Sequence, residues 1–388
     1  MKTKLKGNII TPVRIIKNGE ITFEDGHITY VGVRKNDDSL YDCVDFGENY
    51  ISPGFIDLHV HGGGGYDFMD GTEEAFEGIA ALHQAHGTTS LLATTLTCPD
   101  EELFNIFDIF DKITKKDKPT CLYGIHLEGP YFAKSQKGAQ DEKFIKSPTP
   151  EHYLKILEKG GNYIKRWSIA PELDGAMELG RLLSEKGILP SIGHSDAEYD
   201  TALEAFENGY THLTHFYSAM STIIRKGGFR HPGLIESGYI IDDLTVEIIA
   251  DGCHLPPSLL KIVYKSKGAD KVALVTDALR GAGSNSGTMI LGSLANGYEV
   301  IIEDGVAKLP DRSAFAGSIA TTDRLVRNMI NLAGATLEDA VKMVTFTPAK
   351  IANMPNKGLL RVGFDADISV FDENINIQAV FIGGNRVV

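Results

Sequence analysis

Gly54-Phe55-Ile56-Asp57-Leu58-His59-Val60-His61 is an apolar run that ends in two histidines, and it is the first of eight such runs along the chain. The others are Thr88 to Leu96, Cys121 to Leu127, Ile164 to Ala170, Ile188 to Gly193, Tyr210 to Phe216, Leu244 to Ala250 and Val272 to Thr276. Each has the length of a buried strand, and the segments between them have the length of helices. Several of those segments close on a glycine just before the next run, at Gly87, Gly187, Gly209 and Gly268, where a left-handed cap releases the chain from a helix. Strands alternating with helices imply a parallel sheet, and eight units predict an α/β fold of the (β/α)8 TIM barrel type. A doubly wound open sheet is the alternative, because counting strands does not prove closure.

Outside these units the pattern shortens. Asn8 to Ile16, Gly19 to Phe23 and Ile28 to Val33 read as strands of a small antiparallel sheet, with Asn18-Gly19 and Asp25-Gly26 as hairpin turns. The stretch from Gly358 to Val388 repeats this short-strand pattern, with Ile368 to Phe371, Ala379 to Ile382 and a Gly383-Gly384-Asn385 turn before Val387. Residues 1–50 and 357–388 are therefore expected to form one composite β-module, with residues 51–356 as the barrel.

Composition excludes several classes. With 43% hydrophobic and 23% charged residues in 388, the chain is of ordinary globular make-up. Lys and Arg total 38 against 52 Asp and Glu, a net charge of −14 with no basic stripe, which argues against nucleic acid. Cys43, Cys98, Cys121 and Cys253 form no CxxC pair and read as reduced thiols. Met1 to Gly7 is polar and no run reaches the roughly 18 apolar residues of a membrane span, so a cytoplasmic location is expected.

The chemistry gathers where the strands end. His59 and His61 are two apart, so in a strand they point the same way. Glu128 closes Gly124-Ile125-His126-Leu127 before Gly129-Pro130, His194 follows Ile192-Gly193, and Asp277 follows Val272-Ala273-Leu274-Val275-Thr276. Of His212 and His215 only one need face the site, and His215, later in its run, is favoured; His212 and His126 read as supporting or core histidines. The C-terminal ends of barrel strands are the catalytic face. Imidazoles and carboxylates without cysteine suit zinc, iron(II), manganese or a similar divalent ion in an open site. Such an ion lowers the pKa of water towards about 7 and polarises a carbonyl, which opens amide or ester hydrolysis without a serine or cysteine nucleophile. Asp277 would move the proton.

These residues resemble the amidohydrolase superfamily, and within it the N-acetylglucosamine-6-phosphate deacetylases. The likeness runs from Pro53-Gly54-Phe55-Ile56-Asp57-Leu58-His59-Val60-His61-Gly62-Gly63-Gly64-Gly65 through His126-Leu127-Glu128-Gly129-Pro130, Gly193-His194-Ser195, Thr214-His215, Asp251-Gly252-Cys253-His254 and Thr276-Asp277-Ala278 to Ala316-Gly317-Ser318. The resemblance implies a barrel with a small β-sandwich built from both terminal segments, and removal of acetate from a phosphorylated amino sugar. It implies that Glu128, His194 and His215 hold one metal and that His59 and His61 share Glu128 around a second, with Asp277 as acid/base. Ala139, Gln140, Ser218, Ala219, Arg230, His254, Phe315, Ala316 and Gly317 match sugar- or phosphate-binding positions, and a homodimer partner is implied at the phosphate pocket.

The chain departs from the family pattern in three places. Lys137-Gly138-Ala139-Gln140 stands where Lys-Gly-Ala-His is expected, and Ser218-Ala219-Met220 where Asn-Ala-Met is expected. The stretch from Ser221 to Arg230 adds Arg225, Lys226, Gly227 and Gly228, read either as a solvated basic loop or as a phosphate grip. These departures leave the sugar open between N-acetylglucosamine-6-phosphate and another N-acetyl amino sugar, such as N-acetylgalactosamine-6-phosphate, or an N-acyl amine. A cyclic-amide hydrolase fits less well, since Ala170-Pro171-Glu172 follows the fourth run with no lysine to carboxylate. A catalytically silent barrel used as a scaffold fits least, because all six candidate ligands are present.

Overall fold

The computed structural model describes residues 2–35, 37–284 and 287–388; Met1 and Asn36 of the expected N-terminal module, and Asn285 and Ser286 of the expected barrel, lie outside the described residues. All eight apolar runs are strands of one parallel eight-stranded sheet in chain order: Phe55–Val60, Thr88–Thr94, Leu122–Glu128, Ile164–Ile169, Leu189–Ile192, His212–Leu213, Thr245–Ile248 and Val272–Leu274. The first and last meet just past the eighth strand. There the Asp277 amide donates to the His59 carbonyl, the His61 amide donates to the Ala278 carbonyl, both at 2.9 Å, and Val60 forms a parallel bridge with Ala278. The sheet therefore closes at the level where the expected ligands sit, as a barrel rather than an open sheet.

The first barrel helix, Glu73–Ala85, shows why these sequences fold locally as they do. Thr72 caps it, its hydroxyl accepting from the Ala75 amide at 3.2 Å, and Glu73 and Glu74 complement the positive end of the helix. Phe76, Ile79, Ala80 and His83 recur at helical spacing and are buried against the barrel; burying Phe76 and Ile79 contributes about 1.5–3 kcal/mol each. Gly87, at φ +92°, then turns the chain into the second strand, and a side chain there would collide with the Phe55 ring. The other three expected caps also take positive φ.

The terminal segments join in one seven-stranded sheet with its own apolar core. Asp42–Pro53 lies at its middle, paired parallel with Lys2–Ile10 and antiparallel with Ile368–Phe371 through Tyr50 to Pro53, immediately before the first barrel strand. The sheet is thus mixed, not antiparallel throughout. The Asn18-Gly19 turn is also corrected: Ile15–Glu24 runs straight through it, with a register slip opposite Gly7 to Ile9. The turn lies earlier, where the Thr11 amide and hydroxyl both donate to the Arg14 carbonyl around Pro12. Proline's missing N–H favours the turn there, whereas Asn18 is absorbed as a bulge, its amide donating to the Asn8 side chain. Asp25 and Gly26, both at positive φ, form the expected hairpin.

One element was not foreseen. After the eighth strand come four antiparallel strands, Gly287–Leu291, Tyr298–Glu303, Val306–Lys308 and Phe315–Ser318, which pack as a separate sheet over the barrel mouth. It is anchored through Ser318, whose amide donates to the Asp277 carbonyl at 2.9 Å, and through Arg280, whose guanidinium forks onto Asp70 at 2.8 and 2.7 Å while also donating to the Gly292 carbonyl. Among the described residues no helix is long and apolar enough to cross a membrane.

Candidate metal centre

Six side chains from five strand ends converge at the barrel mouth. Glu128 lies at the centre, 97% buried. Its Oε1 is 3.2 Å from His194 Nε2, 3.1 Å from His215 Nε2 and 3.3 Å from His59 Nε2. Its Oε2 is 3.3 Å from His61 Nε2. Asp277 Oδ1 approaches the first pair from the other side, 3.4 Å from His59 Nε2 and 3.2 Å from His61 Nε2. Glu128, His194 and His215 form one group of donor atoms within 4.8 Å of one another; His59, His61 and Glu128 form another.

The backbone is strained to achieve this. His194, His215 and Asp277 take φ of +50°, +29° and +47°, a region that costs a residue with a Cβ of the order of 1 kcal/mol and is concentrated at functional sites. Ring orientation is fixed from behind. His194 Nδ1 lies 2.8 Å from the Gln136 carbonyl, which can only accept, so Nδ1 carries the proton and Nε2 faces Glu128 with its lone pair. His59 Nδ1 is held in the same way by Glu247 Oε1 at 2.8 Å.

This donor set fits a cation. His59 and His61 bring their Nε2 atoms to 3.2 Å, as His194 and His215 do to 3.1 Å, and two lone pairs at that distance need positive charge between or beside them. Protons alone show the same demand. Burial lowers the pKa of His59 and His61, but the carboxylates of Glu128 and Asp277 outweigh it and raise them to about 10 and about 9. Burial raises the carboxyls, yet His59 and its neighbours pull Glu128 well below the ordinary range and Asp277 below it, so both are anionic at neutral pH.

Above the cluster opens a cavity of about 440 Å³. Ala139, Gln140, Ser218, Ala219, His254, Phe315, Ala316 and Gly317 line it together with His61, Glu128, His194, His215 and Asp277. His254 Nδ1 donates to Asp251 Oδ2 at 2.8 Å, and its ring lies edge-on to Phe315. Arg230 lies apart from the cavity, on an exposed hairpin formed by Ile224–Lys226 and Phe229–His231. Lys226 of that hairpin pairs with Glu198. Gln140 is oriented otherwise than a substrate contact would be, since its amide nitrogen donates to Glu128 Oε2 and its oxygen accepts from the Thr97 amide.

His126 and His212 stand outside the Glu128 cluster. His126 lies against Ser168 and Thr94, and burial, helped by the Arg166 charge, keeps its pKa well below the ordinary value. His212 bridges Thr245 and Glu247. Two charged residues beneath the centre escaped the sequence reading: Arg166 and Glu247, both wholly buried inside the barrel. Their signal was a charge in the middle of a short apolar run, at a position whose parity points inward.

An amidohydrolase family model matches residues 50–387. The N-acetylglucosamine-6-phosphate deacetylase of Lysinibacillus sphaericus is 34% identical over 381 residues, covering 96% of this chain and 92% of the relative; that of Bacillus subtilis is 30% identical, covering 97% and 94%. A solved structure of a mutant N-acetyl-D-glucosamine-6-phosphate deacetylase from Mycobacterium smegmatis, in complex with N-acetyl-D-glucosamine-6-phosphate, is 29% identical with a TM-score of 0.91, covering 100% of this chain and 99% of that one.

Proposed function

The chain belongs to the amidohydrolase family, and we propose that it hydrolyses the acetamide of N-acetylglucosamine-6-phosphate to glucosamine-6-phosphate and acetate. The observation that carries this reading is the convergence of four imidazole nitrogens on Glu128, with Asp277 against His59 and His61, at the floor of one cavity. The relatives named above, 29–34% identical over 96% or more of this chain, are deacetylases of that sugar phosphate by name.

Glu128, His194 and His215 would hold one divalent ion, and His59 and His61, sharing Glu128, a second; the donors suit zinc or iron(II). A bound ion supplies Lewis-acid polarisation of the acetamide carbonyl and makes water acidic enough to ionise near neutrality. The chain does the rest. Asp277, anionic and at the cavity floor, accepts a proton from the attacking water as its oxygen bonds to the carbonyl carbon. It returns that proton to the amide nitrogen as the carbon–nitrogen bond breaks, and the amine also takes up the proton of the new carboxyl group, so acetate and the ammonium form of the sugar leave with atoms and charge balanced. Ala139, Ser218, Ala219, His254 and the segment from Phe315 to Gly317 bind the sugar. The catalytic unit is residues 51–356, which the module of residues 1–50 and 357–388 buttresses.

Phosphate needs positive charge, and among the described residues lining the cavity there is no Lys or Arg; outside the Glu128 cluster the lining contributes the His254 ring as a donor. Arg230, exposed on its hairpin beside the exposed Phe229, supports a homodimer in which each copy lends its guanidinium to the other's cavity. A cytoplasmic site of action suits a sugar phosphate. One observation favours a second reading: Gln140 is engaged by Glu128 and Ser218 is a shorter polar group than asparagine, so a different N-acetylated amino sugar is the competing substrate. Acetate release from a panel of phosphorylated and free N-acetylhexosamines separates the two. The reading predicts kcat/KM highest for N-acetylglucosamine-6-phosphate, and no release from any of them would overturn it.

A further inference from the structure

Beneath the centre, Arg166 and Glu247 form an ion pair at 2.5 Å with neither side chain exposed at all. A buried pair of this kind is poor evidence of stability, because desolvation offsets most of the Coulomb attraction. Its partners point to another use. Glu247 Oε1 accepts from His59 Nδ1 at 2.8 Å and from the main-chain amide of His215 at 2.9 Å. Its Oε2 accepts from Arg166 Nη1 and lies 3.2 Å from His212 Nε2. Arg166 is in turn fixed by the Leu58 carbonyl at 3.1 Å, Thr214 Oγ1 at 3.0 Å and Ser191 Oγ at 3.0 Å. One carboxylate therefore touches the barrel strands that carry His59 and His215, and its cation ties down the residue before each of them, Leu58 and Thr214.

We propose that Glu247, oriented by Arg166, is a positioning residue that keeps the His59 ring with Nδ1 protonated and Nε2 turned to Glu128, and so sets the affinity of the ion held by His59 and His61. The inference rests on the reading of that cluster as a metal centre. A hydrogen-bonded carboxylate behind a ligating imidazole raises the basicity of the ligand and fixes its tautomer, and loss of such a partner lowers metal affinity by roughly 10- to 100-fold. The effect is selective by construction. His59 is gripped through its ring, His215 only through its backbone, and the buried Nδ1 atoms of His61 and His215 have no hydrogen-bond partner among the described residues.

The site also explains why an acid is needed. Both oxygens of Glu247 receive N–H donors, so a glutamine, with one acceptor oxygen, must turn its NH2 either on Arg166 or on His59 and the His215 amide.

The test is a chelator-competition titration with zinc on the full chain, comparing wild type, Glu247→Gln, His59→Ala and the double variant. Wild type is expected to bind two zinc ions. Glu247→Gln should weaken one of them roughly 10- to 100-fold and leave the other within about threefold, and it should have no further effect once His59 is alanine. A global structural defect would persist in the His59→Ala background, and that result, or unaltered zinc binding by folded Glu247→Gln, overturns the proposal. A wild-type chain that binds no zinc would instead remove the metal reading itself. Should Glu247→Gln fail to fold, the wild-type zinc complex still answers the question. With ring-15N histidine it should show a His59 Nδ1 proton, absent in His59→Ala and shielded from solvent exchange; an Nδ1 without a proton overturns the assignment.

Discussion

Gln140 donates from Nε2 to Glu128 Oε2 at 2.6 Å and accepts the Thr97 amide on Oε1 at 2.8 Å, so both ends of its amide are occupied. A residue expected to touch substrate instead braces the carboxylate at the heart of the cluster. Gln140→Ala leaves Oε2 to His61 alone, and the expected outcome is metal held roughly 10-fold less tightly, with kcat falling more than KM rises. Chelator competition and steady-state kinetics measure the two. A rise in KM with metal retention and kcat unaltered would return Gln140 to the substrate.

The two donor groups share Glu128 but differ in the rest, so they come apart by mutation. His194→Ala should abolish turnover and lower metal content, whereas His59→Ala should remove about one ion per chain and leave the Glu128, His194 and His215 group partly filled. Elemental analysis of both variants decides it. Equal metal content in His59→Ala and wild type would mean one ion.

Asp277 is placed for proton transfer, on the cavity floor 3.2 Å from His61. Asp277→Asn keeps shape and one acceptor oxygen but cannot take a proton at neutral pH. Turnover should fall by about 10²- to 10⁴-fold while metal content stays. Because the group is anionic in the resting site, the wild-type kcat/KM should decline on the acid side as it and the water it serves become protonated, with apparent pKa values that belong to the pair.

Exposed Arg230 carries the phosphate assignment. Loss of a charge-assisted contact costs about 1.5–3 kcal/mol, so Arg230→Ala should raise KM for the phosphorylated sugar by about 10- to 150-fold and hardly alter it for the unphosphorylated one. At substrate well below the raised KM, mixing the weakened Arg230→Ala chain with the Asp277→Asn chain should raise activity above the sum of the two through hybrids that contain one intact cavity. Failure to complement, with dimers present, would mean that each chain uses its own arginine.

Stability at low pH should report Asp323. Burial raises its carboxyl, but the contacts with His86 at 3.1 Å, Thr321 at 2.6 Å and Arg327 at 2.7 Å bring it down to about 2. A folded pKa below the unfolded one gives stability that is present above about pH 4 and lost as pH falls towards 2. Asp323→Asn should lower stability by about 2 kcal/mol at pH 6, with the gap to wild type shrinking below pH 4. Urea midpoints at several pH values test this, and a gap constant down to pH 3 would contradict it.

The barrel was legible because its buried strands are short apolar runs, several of them preceded by a glycine that caps the helix before, as at Gly87, or closed by a ligand, as at His59. The ligands were legible because strand parity places His59 and His61 together. Arg166 and Glu247 were not, since a charge within an apolar run reads as a surface position until closure turns that face inward. The sheet of residues 287–318 was missed for a different reason. Its strands pair among themselves and cover the mouth instead of extending the barrel, so they break the strand-helix rhythm. Gln140 was placed in the cavity wall, but only coordinates reveal that Glu128 already occupies its amide.

The pairing of Tyr50 to Pro53 with Ile368 to Phe371 also bears on biosynthesis. At about 5–20 residues per second, a ribosome delivers the second strand roughly 15–60 s after the first. For that interval Leu5, Ile9, Ile21 and Ile51 lack the partners Ile368 and Val370 of their shared core, and Asp42–Pro53 presents a bare edge. The nascent chain thus emerges with an unpaired strand edge and part of a core that only its last residues complete, which gives a chaperone that binds extended apolar strands a long window on residues 2–53.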